Sequence, residues 1–177
     1  TWSSGFGYFT HNTQVGDIFK ANKTIDDKIE ARLYKIIDGV TDYDTLSGTV
    51  TKRFCKKLKA DQCKTFNAVF IELLRVSSIK KLGRYRADKF DYHGEEIKDN
   101  KAVVKTTAYY KEENAALEYY LELKDGKWKI VNYVLDDIDT VRNYKKQFRR
   151  LFKKKSFDEV IERLRKKIAD YKKESRE

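Results

Sequence analysis

The pattern of apolar and polar positions predicts that the first half of the chain is helical. Thr24 is the predicted N-cap of an early helix, with Asp27 at an acidic third position and Gly39 at the end of the pattern. Apolar residues recur behind this cap at helical spacing, namely Ile25, Ile29, Leu33 and Ile36. A second helix of about two turns is expected after Asp44.

A longer helix is predicted from Ala60 to about Lys81. Its apolar positions form a stripe broader than a simple two-layer contact needs: Phe66, Val69, Phe70, Leu73, Leu74 and Val76. We expect this helix to run through the core.

Apolar residues then recur at every second position, which predicts strands over residues 102–107 and 116–123. Asp125-Gly126 suits a two-residue type I′ turn, which pairs Lys124 with Lys127. Counting outward, we expect one apolar face made of Leu117, Tyr119, Leu121, Leu123, Trp128, Ile130 and Val134. On the other face Glu122 lies opposite Lys129.

Two amphipathic helices close the pattern and are expected to cover that apolar face. Thr140 to Lys153 follows Asp139, a plausible N-cap, and Ser156 and Glu159 form a capping box for the last helix. The predicted fold is α+β, with an antiparallel β-meander sheet covered on one face by several helices. We expect one domain over residues 13–177, preceded by an N-terminal tail at 1–12.

Composition narrows the function classes only slightly. A chain of 177 residues has the size of one domain, and no apolar run approaches the roughly 20 residues that span a bilayer. The formal net charge of +11 attracts phosphate, either on nucleic acid or on a lipid headgroup.

Residues that carry enzymatic or metal chemistry form no recognisable pattern. Cys55 and Cys63 match no zinc or redox spacing, and either a short-range disulfide or two free thiols fits them. The two histidines, His11 and His93, are isolated in segments that read as a loop or helix start and as a turn. We therefore expect no metal site.

Three carboxylates precede the helix at Thr140 and are the nearest approach to an acid-base group: Asp136, Asp137 and Asp139. A cap and a cluster that complements the helix dipole explain them more simply. A small cone-shaped α+β dehydratase or isomerase is the enzymatic alternative.

Nucleic-acid binding is a further alternative, based on the basic helix that carries Tyr144, Phe148 and Phe152. These aromatic residues are spaced at i, i+4 and i+8, which directs them to one buried face. Base stacking would need them exposed beside the charges, and we therefore expect no nucleic-acid partner.

The stretch from the hairpin turn into the next helix carries a two-part motif. Its first part is Asp125, Gly126, Trp128, Lys129 and Ile130, and its second part is Val141, Asn143, Tyr144, Lys145, Gln147 and Phe148. This motif resembles the closing signature of the MlaC-type, or toluene-tolerance, proteins. The resemblance extends over about Val15 to Lys172.

This chain departs from the family pattern at two places. The family usually carries Asp in the strand where this chain has Asn132. It usually carries Glu-Gly-Val-Ser where this chain has Asp136-Asp137-Ile138-Asp139.

The resemblance implies a non-enzymatic periplasmic phospholipid carrier that shuttles lipid between the outer membrane and an inner-membrane ABC transporter. Its implied partners are an outer-membrane lipoprotein complex and the transporter's substrate-binding ring, with transient membrane proximity and no metal or nucleotide cofactor. Such a function contributes to outer-membrane lipid asymmetry and toluene tolerance. A hopanoid or other hydrophobic molecule is an alternative cargo.

In this family acyl tails lie in an apolar pocket between the sheet and its helices. The candidate lining residues here are Phe66, Phe70, Leu73, Leu74, Leu117, Tyr119, Leu121, Ile130, Val134, Tyr144, Phe148 and Phe152. Candidate contacts to a headgroup or an acidic partner are Lys145, Lys146, Arg149, Arg150 and Lys153.

Overall fold

The computed structural model describes residues 14–85 and 89–175, without side-chain detail at 82–85 and 110. The predicted tail at 1–12 and His11 lie outside this range. The helices are α1 (residues 14–21), α2 (Asp27–Val40), α3 (Tyr43–Cys55), α4 (Ala60–Tyr85), α5 (Thr140–Lys154) and α6 (Phe157–Glu174). The strands are β1 (Lys89–Lys98), β2 (Lys101–Tyr110), β3 (Glu113–Lys124), β4 (Lys127–Leu135) and β5 (Ile138–Asp139).

The fold is mixed α+β, as predicted. The strands form one antiparallel sheet in the order β1-β2-β3-β4-β5, and α2 to α5 pack against β2 or β4. Within the described residues, no helix has the length and apolar character required to cross a membrane.

Two predictions about where helices begin are wrong. The N-cap of α2 is Asp26, whose carboxylate accepts from the Ile29 amide, and Thr24 lies outside the helix. Helix α3 begins at Tyr43 behind the N-cap Asp42 and is 13 residues long, well beyond two turns after Asp44. In both places a neighbouring Asp takes the role of N-cap, for which Asp is among the preferred residues and ranks above Thr. Helix α2 also continues past Gly39 to Val40.

The predicted hairpin between β3 and β4 is confirmed at its turn. Asp125 and Gly126 have φ of 50° and 75°, as a type I′ turn requires, and Lys124 pairs with Lys127. Glu122 pairs with Lys129, also as expected.

A bulge at Val131 changes the register further along β4. Leu121 pairs with Ile130, whereas Tyr120 pairs with Asn132, so one residue of β4 is left over. Because side chains alternate along a strand, every residue after the bulge changes face. The prediction that Val134 shares the apolar face is therefore wrong, and Tyr133 takes that face instead.

Strand β1 was not predicted, and the interpretation of His93 as part of a turn is wrong. His93 sits at a bulge inside β1, between Tyr92 and Gly94, with its Nε2 2.6 Å from Thr107 Oγ1. The strand escapes detection because its exposed and half-buried positions do not alternate simply.

A disulfide between Cys55 and Cys63 joins the end of α3 to the start of α4. Asn67 reinforces this junction, because its Oδ1 accepts hydrogen bonds from the hydroxyls of Ser47 (2.6 Å) and Thr51 (2.8 Å). The two helices are thus fixed to each other by a covalent bond and a buried polar network.

Candidate functional site

The helical half of the proposed lining is a close-packed aromatic cluster. Phe148 lies 4.9 Å from Phe66 and 5.0 Å from Phe70, measured between ring centroids, and Tyr144 lies 5.0 Å from Phe70. Leu73 and Leu74 are fully buried in the same helical cluster, and Phe152 packs against it. Edge-to-face geometry of this kind adds stabilisation beyond burial of area.

The sheet half forms a second cluster, separate from the first. It contains the predicted lining residues Leu117, Tyr119, Leu121 and Ile130, together with Ala102 and Val104. Val40 and Trp128 pack against it. The structure thus divides the predicted lining into a helical cluster and a sheet cluster, and Val134 belongs to neither.

Tyr133 packs against both clusters and marks the seam between them. The hydroxyls of Tyr133 and Tyr43 are buried and have no hydrogen-bond partner of good geometry among the described residues. Ser78, which lies near Tyr43, donates to Leu74 O instead (2.8 Å). Burial raises the pKa of Tyr43, and the nearby Asp38 and Tyr133 add to the effect.

An ion pair near Tyr43 joins α2 to α4. Arg75 donates two hydrogen bonds to Asp38, at 2.9 and 2.7 Å, and its guanidinium lies 4.5 Å from the centroid of the Tyr34 ring. Burial, followed by the charge of Glu30, raises the pKa of Tyr34 to about 12. Sequence reasoning missed this arrangement, because Arg75 and Asp38 lie 37 residues apart.

The predicted cationic rim is only partly brought together. Lys145, Lys146 and Arg149 line a groove of about 440 Å³ whose other walls are Asn132, Asp139, Val141 and Arg142. Arg150 and Lys153 are exposed and do not line this groove.

Two of the three carboxylates considered as acid-base groups, Asp136 and Asp139, have structural partners. Asp139 caps α5 by accepting from the Arg142 amide (2.9 Å), as predicted. Asp136 Oδ1 accepts from the Ala116 amide (2.9 Å), and both Asp136 and Asp137 have positive φ. Asp136 and Asp137 thus form the turn between β4 and β5, and Asp139 starts the helix α5. In the described part of the chain no group of three or more His, Cys, Asp or Glu could hold a metal ion.

The two departures from the family pattern meet in one hydrogen-bonded group. Asn132 Nδ2 donates to Asp139 Oδ1 at 3.1 Å. Asn132 Oδ1 accepts from the amides of Tyr133 (2.9 Å) and Val141 (3.2 Å). The carboxylate that the family usually has on the strand lies on the helix cap in this chain, and the amide beside it supplies the donor.

Comparison with known proteins gave two findings. A family model described as MlaC protein matches residues 10–166. The fold is similar to that of the phospholipid-binding protein from Ralstonia solanacearum, solved in complex with a phospholipid, with a TM-score of 0.75 and 18% sequence identity over 96% of this chain and 99% of that chain. At that identity the likeness shows the fold alone. No curated protein matches the sequence.

Proposed function

Because the chain belongs to the MlaC family, we propose that it is a periplasmic carrier that binds a phospholipid and moves it between the outer membrane and an inner-membrane ABC transporter. The observation that carries this proposal is the family match over most of the chain. The similar fold of a protein solved with a phospholipid bound supports it.

The proposed place for the acyl chains is the seam between the sheet cluster and the helical cluster. Each cluster offers an apolar surface, and Tyr133 spans both. Each CH₂ group removed from water contributes about 0.8 kcal/mol. Burial of two acyl chains can therefore offset the free-energy cost of separating the two clusters without specific polar contacts. The proposed lining keeps the predicted residues except Val134, which lies on the other face of β4.

The proposed headgroup contacts are three cations of α5 that line the groove of about 440 Å³, namely Lys145, Lys146 and Arg149. Their long side chains can lie along apolar surface and present their charge to a phosphate. The lipoprotein complex and transporter ring implied by the family are the proposed partners. We propose no catalytic role, because the acidic residues at the strand-to-helix junction already serve as a cap and a turn.

The test is uptake of a fluorescent phospholipid from donor vesicles by the purified protein. Two neighbouring residues form a matched pair of variants, because Tyr133 faces the seam and Val134 faces away from it. Tyr133→Gln places an amide in the apolar seam and is expected to lower uptake by at least about five-fold. Val134→Gln makes a similar change on the opposite face and is expected to leave uptake unchanged.

Thermal unfolding of both variants shows first that they are folded. No uptake by the wild-type protein would reject the proposed function. Equal losses in the two folded variants would reject the proposed place of binding while leaving the function intact.

A further inference from the structure

Two adjoining grooves on the surface of α3 and α5 share Lys145 and Arg149 in their walls. The first is the groove of about 440 Å³ described above. The second, of about 360 Å³, runs between α3 and α5. We call the cations that line the two grooves the basic double groove: Lys52, Arg53, Lys56, Arg142, Lys145, Lys146 and Arg149.

The charge of the basic double groove is not neutralised by the protein. None of its seven cations forms an ion pair with another described residue. Asp139 is the one carboxylate among the residues that line these two grooves, and its Oδ1 is occupied as the cap of α5. Some cations elsewhere are paired, as in Lys172 with Glu72 and Arg75 with Asp38.

The seven cations are carried by helices that are held rigidly together. Phe54 of α3 stacks on Phe152 of α5, with ring centroids 5.3 Å apart, and meets Phe148 edge-on at 6.2 Å. The Cys55–Cys63 disulfide fixes the end of α3, next to Arg53 and Lys56. The cations are therefore kept close together, and their mutual repulsion is relieved when an anion binds between them.

We propose that the basic double groove docks the protein on the surface of an anionic bilayer, with lipid phosphates in the two grooves. Besides the cations and Asp139, the walls consist of three apolar residues, Val50, Phe54 and Val141, and two neutral polar residues, Thr49 and Asn132. A surface of this kind can bind several closely spaced phosphate groups. An acidic peptide would also need hydrogen-bond partners for its backbone groups. This goes beyond lipid binding in the seam, but the choice of a bilayer as partner rests on the proposed function.

The experiment is co-sedimentation of the full chain with vesicles of phosphatidylcholine alone, or of phosphatidylcholine mixed with phosphatidylglycerol. The wild-type protein is expected to bind the mixed vesicles, to bind the neutral vesicles weakly, and to dissociate as salt screens the charges. Each basic residue at such a surface strengthens partitioning roughly five-fold. The double variant Lys145→Gln, Arg149→Gln is therefore expected to bind roughly 30-fold more weakly.

The matched control is Arg165→Gln, Lys166→Gln, which removes the same two residue types from an exposed part of α6 and leaves both grooves intact. Equal losses in the two double variants would reject the groove in favour of overall charge. Absence of binding to the mixed vesicles, or binding to polyglutamate alone, would reject a bilayer as the partner.

Mass spectrometry of the bound lipid separates this proposal from the proposed function. A protein that carries phospholipid but does not sediment with anionic vesicles overturns the docking proposal alone. A protein that sediments with these vesicles but never carries lipid overturns the proposed function alone.

Discussion

The contact between Asn132 and Asp139 leads to a prediction about moving the carboxylate from the helix cap to the strand. The family usually has a carboxylate on the strand and Ser at the cap, whereas this chain has an amide on the strand and a carboxylate at the cap. Asn132→Asp alone would place two carboxylates about 3 Å apart at a half-buried site. We expect this single substitution to destabilise the protein, and the double substitution Asn132→Asp, Asp139→Ser to restore most of the stability.

The magnitude follows from the geometry. Two unit charges about 4 Å apart repel by roughly 1 kcal/mol in water and by roughly 4 kcal/mol at the effective dielectric constant near a protein surface. The lost hydrogen bond between the side chains adds about 1 kcal/mol. We therefore expect Asn132→Asp to lower the free energy of unfolding by about 2–5 kcal/mol at neutral pH. Asp139→Ser alone is expected to cost about 1 kcal/mol, because Ser is also a good N-cap but the hydrogen bond from Asn132 is lost.

The assay is chemical denaturation of the wild type, both single variants and the double variant, which together form a double-mutant cycle. The pH dependence gives a second check. Repulsion raises the pKa of the new carboxyl pair in the folded state, so the penalty is fully present well above the unfolded pKa of about 4 and disappears as the pH falls below it. A coupling energy below about 0.5 kcal/mol, or a penalty that persists at acidic pH, would refute the reasoning.

Three further predictions concern stability. Burial raises the pKa of Asp42, but hydrogen bonds from Lys124 and from the first turn of α3 outweigh it and hold the value at about 2. A depressed carboxyl pKa stabilises the folded state fully above the unfolded pKa of about 4, and this stabilisation is lost as the pH falls through 2. Asp42→Asn should therefore lower the free energy of unfolding by roughly 2 kcal/mol at neutral pH and by little at pH 2, as measured by urea denaturation. Replacing Cys55 and Cys63 by Ser should lower the free energy of unfolding by roughly 2–3 kcal/mol, and equal denaturation midpoints with and without the bond would contradict this. Phe148→Ala, at the centre of the aromatic cluster, should cost about 3–5 kcal/mol by denaturation, and a loss below about 1 kcal/mol would show that this cluster is loosely packed.

Local chemistry explains which parts of the fold could be predicted from the sequence. The Asp125-Gly126 turn, the Asp139 cap and the Ser156 capping box depend on residues that are neighbours in the chain, and all three are confirmed. Thr24 failed as a cap because Asp26 offers the same hydrogen bond two residues later. Short-range patterns thus locate elements well and fix their ends less well.

Features that depend on distant residues could not be read from the pattern. Val131 looks like any other strand residue, so nothing in the sequence marks the bulge that moves Val134 away from the sheet cluster and brings Tyr133 into the seam. The separation of the predicted lining into two clusters, and the meeting of α3 and α5 cations, depend on tertiary packing. The pairing of Asn132 with Asp139 likewise becomes visible only when β4 and β5 lie side by side.

Native mass spectrometry of the purified protein, followed by extraction and identification of any released lipid, tests the central claim most directly. We predict a bound species with the mass of a phospholipid, which is released on denaturation, and which is greatly reduced in Tyr133→Gln but retained in Val134→Gln. A protein that carries no lipid after purification, and that still carries none after incubation with phospholipid vesicles, would contradict the account.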